Sequence, residues 1–206
     1  MNDELTKKLI SKYPVLFSGV DKSPMENLMC FGIECGPGWY QILDALCIMI
    51  SGGHTGWCNA DKDQCWPIRL WNRLVDKLGK WKWRVHRSIR YHTPKFEFMQ
   101  IKEKYGTLRV YLGSPVFDDE FTKNMERYPK TMREVMDRWQ REVDGAIQLA
   151  EDLSSITCED CGKPGELCQR GIWVSTMCPE CRTSKNNEGY EPCNYTKDDE
   201  DAPCIQ

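Results

Sequence analysis

The chain has 206 residues and a formal net charge of −3, and 40% of its residues are hydrophobic. This composition supports a hydrophobic core and excludes a disordered chain. No apolar run reaches the roughly 18 residues that a membrane helix needs, so we predict no membrane partner. The first residues are polar and lead into no apolar segment, so we expect no secretory signal and a reducing cytosol.

The first part of the chain is predicted to be mainly helical. Residues 3–13 have the spacing of an amphipathic helix that Pro14 ends, and residues 29–33 are predicted to form a short strand. Residues 34–40, with the sequence Glu-Cys-Gly-Pro-Gly-Trp-Tyr, are predicted to form a tight turn that opens a core helix. We expect that helix to end at the glycine pair 52–53.

The middle of the chain is predicted to form a helix followed by a small sheet. Apolar residues recur at helical spacing over residues 66–78, and the period then changes to 2. Strands over residues 81–91, 95–104 and 107–113 would form a three-stranded antiparallel meander, with residues 105–106 at the hairpin turn. We therefore predict an α+β domain in which helices pack on a small antiparallel sheet.

The last part of the chain is predicted to contain three successive regions. Apolar residues at helical spacing over residues 131–153 predict the longest helix, which completes an α+β domain of residues 1–155. A zinc-ribbon-like module of residues 156–184 follows. Residues 185–206 hold few apolar residues and an excess of acidic ones, so we predict a disordered acidic tail.

Two cysteine pairs, each with two intervening residues, lie in the predicted module. Cys158 and Cys161 form the first pair, and Cys178 and Cys181 form the second. One tight turn aims both sulfurs of such a pair at a single ion, so the two pairs predict a tetrahedral zinc site. Four thiolates close the coordination sphere, so we predict a structural zinc ion. Cys168 lies between the pairs and is predicted to be a spare buried thiol.

The other cysteine chemistry leaves two alternatives open. The two pairs would otherwise be redox-active or reduced thiols, although no thioredoxin-type context surrounds them. His54, Cys58 and Cys65 are candidates for a second metal site, with Cys30 or Cys35 as the fourth ligand, but their spacing is irregular.

One face of the predicted sheet is the candidate binding surface. Lys82, Arg84 and His86 alternate with apolar residues and would project together from their strand. Arg109 and Tyr111 join that face if the apolar residues of their own strand point inward. Arginine and tyrosine are favoured as anchors in protein interfaces, so we predict that this face binds a partner.

Two other surfaces are alternatives to that face. Residues 69–90 are strongly basic and contain aromatic residues, a combination typical of nucleic-acid-binding surfaces. Strand alternation would send Trp81 and Trp83 to the face opposite the basic side chains, which makes a protein partner as reasonable. The second alternative is the zinc module itself, around Arg170 and Trp173.

The chain carries no recognised catalytic motif. It has no phosphate-binding loop, no dinucleotide glycine fingerprint and no Gly-x-Ser-x-Gly elbow. His86 and His92, with Glu97 or Glu103, are candidates for acid–base pairs, but such pairs occur by chance in any chain of this size. We therefore predict a non-enzymatic protein, with a small enzyme or a nucleotide-binding protein as the alternative.

Three stretches, taken in order, resemble one group of known proteins. They are residues 34–40, residues 100–109 with the sequence Gln-Ile-Lys-Glu-Lys-Tyr-Gly-Thr-Leu-Arg, and the cysteine-rich residues 158–181. In this combination the chain resembles small, mostly uncharacterised proteins carried by tailed bacteriophages and prophages. The resemblance covers residues 28–182 and leaves out the acidic tail.

What the resemblance implies is a biological setting, because it carries over no catalytic residues. Non-structural phage proteins of this size often bind host machinery or defence systems. We therefore expect an accessory protein in the cytoplasm of the infected bacterial host. It would bind a host protein or defence complex and inhibit or redirect it, with nucleic acid as the alternative partner.

Overall fold

The computed structural model describes residues 1–53, 95–117, 119–127 and 129–193. Several predictions fall on the other residues and lie outside the described part of the chain. They are the helix over residues 66–78, the strand over residues 81–91, the basic segment 69–90, the second metal site at His54, Cys58 and Cys65, the acid–base candidates His86 and His92, and the surface residues Lys82, Arg84 and His86.

The described residues form helices and two small sheets, which confirms the predicted α+β class. The α-helices are α1 (Asp3–Lys12), α2 (Tyr40–Ile48), α3 (Asp119–Arg127), α4 (Pro129–Ser154) and α5 (Pro179–Arg182). The strands are β1 (Ile33–Glu34), β2 (Phe98–Lys104), β3 (Thr107–Leu112), β4 (Glu166–Arg170), β5 (Trp173–Met177) and β6 (Glu191–Pro192). Within the described residues, no helix combines the length and the apolar character needed to cross a membrane.

The predicted helices at the start of the chain are confirmed. The side chain of Asn2 caps α1 by accepting a hydrogen bond from the backbone N–H of Leu5 at 2.9 Å. A 3₁₀ turn at Pro37–Trp39 opens α2, as the turn prediction for residues 34–40 requires. The helical path then continues through a π-helical turn, Met49–Gly53.

The short strand predicted at residues 29–33 is wrong for most of its length. Residues Leu28–Phe31 form a 3₁₀ helix, because the buried Asn27 side chain accepts a hydrogen bond from the backbone N–H of Met29 at 2.8 Å. Such a local cap competes with extended backbone. The strand begins only at Ile33 and contains two residues.

The first sheet is mixed, and it tests one pairing of the predicted antiparallel meander, because the pairing of residues 81–91 lies outside the described residues. Strands β2 and β3 do form the predicted antiparallel hairpin, and positive φ angles of 54° at Tyr105 and 77° at Gly106 make its tight turn. The strand beside β2 at Ile101 is β1, which runs parallel to it. The buried side chain of Ile33 brings this short strand into the core beside Ile101.

The long helix predicted over residues 131–153 is confirmed as α4, which packs on β3. Val143, Ala146 and Ala150 are buried in the core, but the predicted apolar stripe over residues 131–153 also includes Leu149 and Leu153, which are 50% and 40% exposed. The apolar stripe of the sequence is therefore wider than the face that α4 buries.

Polar side chains of α4 cover the outer edge of β3. The backbone N–H of Leu108 donates to Oγ of Ser154 at 2.8 Å, and the N–H of Val110 donates to Oε1 of Glu151 at 3.2 Å. These bonds satisfy two backbone N–H groups on the edge of β3, which could otherwise pair with a further strand.

The second sheet corrects the prediction of a disordered tail that begins at residue 185. Strand β6 pairs with β4 and places Glu191 opposite Gln169, and β5 pairs with the other edge of β4. The Arg170 guanidinium lies 4.5 Å from the centre of the Tyr190 ring. The polar composition of this segment does not indicate a strand, because β6 is held mainly by backbone hydrogen bonds. The rest of the predicted tail lies outside the described residues.

Ending the chain after Lys185 is therefore expected to destabilise the C-terminal module. The truncation removes β6 and the Arg170–Tyr190 stack, which together contribute about 2 kcal/mol. Thermal denaturation should show a decrease of about 4 to 8 °C in melting temperature. A chain ending after Asn194, which keeps β6, is the matched control and should keep this stability. Equal melting temperatures for both chains would show that β6 contributes nothing.

Candidate metal centre

The first cysteine pair lies in a tight turn directly after α4. The backbone N–H of Gly162 donates to the carbonyl of Cys158 at 2.9 Å, and the N–H of Cys158 donates to the carbonyl of Lys163 at 2.8 Å. Gly162 has a φ of 77°, a conformation that glycine adopts without strain. This turn places Cys158 and Cys161 on the same side of the loop, as their spacing predicts.

The second cysteine pair lies at the start of the short helix α5. Cys178 is its N-cap residue, and the backbone N–H of Cys181 donates to the Cys178 sulfur at 3.4 Å. This hydrogen bond is the main reason that the pKa of the Cys178 thiol is lowered to about 7. Burial raises the pKa of the Cys158 thiol, so metal binding there has to displace a proton.

The four cysteines form one compact cluster. Their Sγ atoms all lie within 4.8 Å of one another, and the Sγ atoms of Cys161 and Cys178 are 3.6 Å apart. A tetrahedral ion with metal–sulfur distances near 2.3 Å needs sulfur–sulfur separations of about 3.8 Å. All four cysteines are free thiols. The cluster therefore fits a single metal ion.

The remaining cysteines of the described region are not part of the cluster. Cys168 is buried, and its thiol lies 3.4 Å from the backbone carbonyl of Glu166. Cys35 is also buried, and burial raises the pKa of its thiol to about 12. Within the described residues, the four-cysteine group is the one cluster of at least three potential metal ligands.

The loop of the first cysteine pair is hydrogen-bonded to the turn that opens α2. The indole N–H of Trp39 donates to the carbonyl of Thr157 at 2.8 Å, and the backbone N–H of Gly38 donates to the carbonyl of Glu159 at 2.7 Å. The side chain of Glu159 accepts a further bond from the N–H of Gly36 at 2.8 Å. The Trp39 side chain is fully buried, so the cysteine loop is bonded to the core of the protein.

A second contact joins the C-terminal module to the β2–β3 hairpin. The buried Oγ1 of Thr176 donates to the carbonyl of Gly106 at 2.6 Å. A methyl group added at Gly106 would lie 2.4 Å from the side chain of Leu167. The turn of residues 34–40, the hairpin of residues 100–109 and the cysteine-rich residues therefore meet at one junction.

One face of the β2–β3 hairpin carries part of the predicted binding surface. Leu108 and Val110 are buried and Tyr111 is 45% exposed, as the alternation predicts. The guanidinium of Arg109 forms an ion pair with Glu151 at 3.3 Å. Of the five predicted surface residues, Arg109 and Tyr111 are therefore close together, and the other three lie outside the described residues.

Lys102 also lies on this face, although the sequence prediction of the binding surface does not include it. Lys102 lies opposite Arg109 in the β2–β3 register, and its Nζ is 5.5 Å from the centre of the Tyr111 ring. Strand β1 places Glu34 on the other side of Lys102. The alternation of side chains along β2 is the signal in the sequence that places Lys102 on this face.

Comparison with protein-family models, curated proteins and solved structures found no match for this chain.

Proposed function

We propose that this chain is a non-enzymatic phage accessory protein that binds a host protein or defence complex in the bacterial cytoplasm and inhibits or redirects it. A structural zinc ion would hold the four cysteines in a zinc-ribbon-like module. The main support for this function is the junction at Gly106, where the module contacts the hairpin that displays Lys102 and Tyr111. The metal thereby supports a rigid binding face.

The chemistry of the cysteine cluster supports a structural ion. Thiolates are soft ligands, and a closed set of four thiolates is typical of structural zinc. Such a set leaves no coordination position for water or substrate. The module is too small to have a large core of its own, so metal binding would supply folding energy.

The charges on the sheet face favour a protein partner over nucleic acid. Across the strands, Glu34, Lys102 and Arg109 lie side by side in register, and Glu151 of α4 pairs with Arg109. Each of the two cations in this row therefore has an acidic neighbour, whereas a nucleic-acid surface needs cations whose charge no acidic neighbour compensates. Charges of both signs beside an exposed tyrosine suit a protein interface.

Affinity capture from a lysate of the bacterial host tests this function. The unsubstituted chain should retain a host protein with and without nuclease treatment. Lys102→Glu combined with Tyr111→Ala should lose at least about 90% of that protein, because both side chains lie on the binding face. Lys7→Glu reverses an exposed charge on α1, and a chain with this substitution should retain the host protein as the unsubstituted chain does. Zinc content should be equal in all three chains.

Two results would contradict this assignment. Capture that nuclease abolishes, with an affinity that falls steeply with salt, would identify nucleic acid as the partner. Capture that survives the double substitution but is lost in Trp173→Ala would identify the zinc module as the binding surface.

A further inference from the structure

An open groove lies between β3 and α4, beside the binding face. Its volume is about 360 Å³, within the range of sites that hold a small ligand or a side chain. Phe96, Val110 and Ile147 provide an apolar lining that is buried or half-buried. Tyr111 lines the groove and also belongs to the sheet face, so the two surfaces are continuous.

The exposed polar side chains of the groove lining are Gln140, Asp144 and Gln148. The amide nitrogen of Gln140 donates to Oδ1 of Asp144 at 2.8 Å, and that of Gln148 donates to Oδ1 of Asp152 at 2.9 Å. Each bond uses one of the two N–H donors of its glutamine, and the carboxylate of Asp144 is the one charged group in the described part of the groove lining. Among the described residues, no cation lies within ion-pair distance of Asp144.

We propose that this groove binds a lysine or arginine side chain of the partner protein, next to an apolar side chain of the same segment. Long basic side chains bury their aliphatic stems on apolar surface and keep the charged group at a polar edge. The stem would lie along Phe96 and Ile147, and the cation would bind Asp144. The Asp144 carboxylate repels phosphate, so the groove does not serve a nucleic acid. This inference rests on the proposed function and specifies how the partner is recognised.

The groove is tested directly with two blocked dipeptides, acetyl-Phe-Arg-amide and acetyl-Phe-Glu-amide. Titration followed by nuclear magnetic resonance should show that the arginine dipeptide shifts the backbone amide signals of Val110 and Ile147. The glutamate dipeptide should shift neither. Asp144→Asn should weaken binding of the arginine dipeptide about tenfold, because it removes a charge-assisted hydrogen bond. Asp137→Asn, on an exposed residue of α4 outside the groove lining, is the matched control.

The inference is overturned if the arginine dipeptide leaves the groove signals unchanged, or if Asp144→Asn binds it as tightly as the unsubstituted chain does. Capture of the host protein by the Asp144→Asn chain then tests this inference independently of the proposed function. Asp144→Asn should reduce capture about tenfold while Lys102 and Tyr111 are intact. Unchanged capture by Asp144→Asn would refute the role of the groove and leave the proposed function standing. If the unsubstituted chain captures no host protein, the proposed function fails, and the dipeptide titration decides the groove by itself.

Discussion

Replacing Cys158 and Cys161 together by serine is expected to abolish metal binding and to unfold the C-terminal module. The four sulfurs lie within 4.8 Å of one another, so losing two of them leaves no tetrahedral site. Structural zinc contributes about 10 to 16 kcal/mol of binding free energy in small zinc domains at neutral pH. The melting temperature should therefore fall by well over about 10 °C.

The same substitution should also disturb the N-terminal part of the protein. Thr157 and Glu159, on either side of the first ligand, accept hydrogen bonds from Trp39 and Gly38. An unfolded cysteine loop leaves the buried indole N–H of Trp39 without this partner, which costs about 1 to 3 kcal/mol. Metal analysis of the purified chain should show about one zinc ion per molecule for the unsubstituted protein and none for the double variant.

Cys168→Ala is the matched control for the cysteine substitutions. Cys168 is as buried as Cys158 but lies outside the cluster, so the variant should keep its zinc and lose only a small amount of stability. Full zinc retention in the Cys158→Ser, Cys161→Ser chain would contradict the assignment of the metal centre.

Replacing Gly38 by alanine is expected to separate the module from the turn that opens α2. The added methyl group would lie 2.2 Å from the carbonyl oxygen of Cys158 and 2.5 Å from the backbone nitrogen of Gly162. Both contacts are with backbone atoms of the cysteine turn, so no side-chain rotation relieves them. We expect a loss of about 3 kcal/mol and a decrease of about 6 to 12 °C in melting temperature.

Gly145→Ala is a control for this effect, because the added methyl group should raise stability there instead of lowering it. Gly145 lies in the interior of α4, and a methyl group there meets no atom within 4 Å. Alanine is the better helix former by about 1 kcal/mol, so this variant should be slightly more stable. Equal melting temperatures for Gly38→Ala and the unsubstituted chain would show that the module does not pack against the turn as described.

Features encoded by local sequence patterns could be predicted from the sequence. The spacing of apolar residues predicted α1 and α4, and the residues around Tyr105–Gly106 predicted the hairpin. The cysteine quartet was also predictable, because two residues between ligands fix the geometry of each turn before any tertiary contact forms. These signals depend on residues that are neighbours along the chain.

Features that depend on distant backbone contacts could not be predicted in the same way. Strand β1 has two residues and pairs with a strand more than sixty residues away, so its own sequence has no detectable period. Strand β6 consists of Glu191 and Pro192 and is added to an existing edge, against its polar composition. Backbone pairing of this kind leaves almost no trace in side-chain patterns.

The sequence contains one signal for the contact between the module and the rest of the protein. Gly36 and Gly38 alternate with other residues in the turn before α2, and the backbone of the cysteine loop approaches both of them too closely for a side chain. Glycines in a turn permit close approach of another backbone. The sequence alone did not identify which segment makes that approach.

We infer that the metal site stabilises the junction between the module and the α2 turn. This inference is tested by hydrogen exchange of the Trp39 indole N–H and the Gly38 backbone N–H in zinc-loaded and zinc-stripped protein. We predict that removing zinc increases both exchange rates by at least about 100-fold, while the Tyr13 N–H at the end of α1 changes little. If both protons remain equally protected after the metal is removed, the junction does not depend on the metal and this inference is wrong.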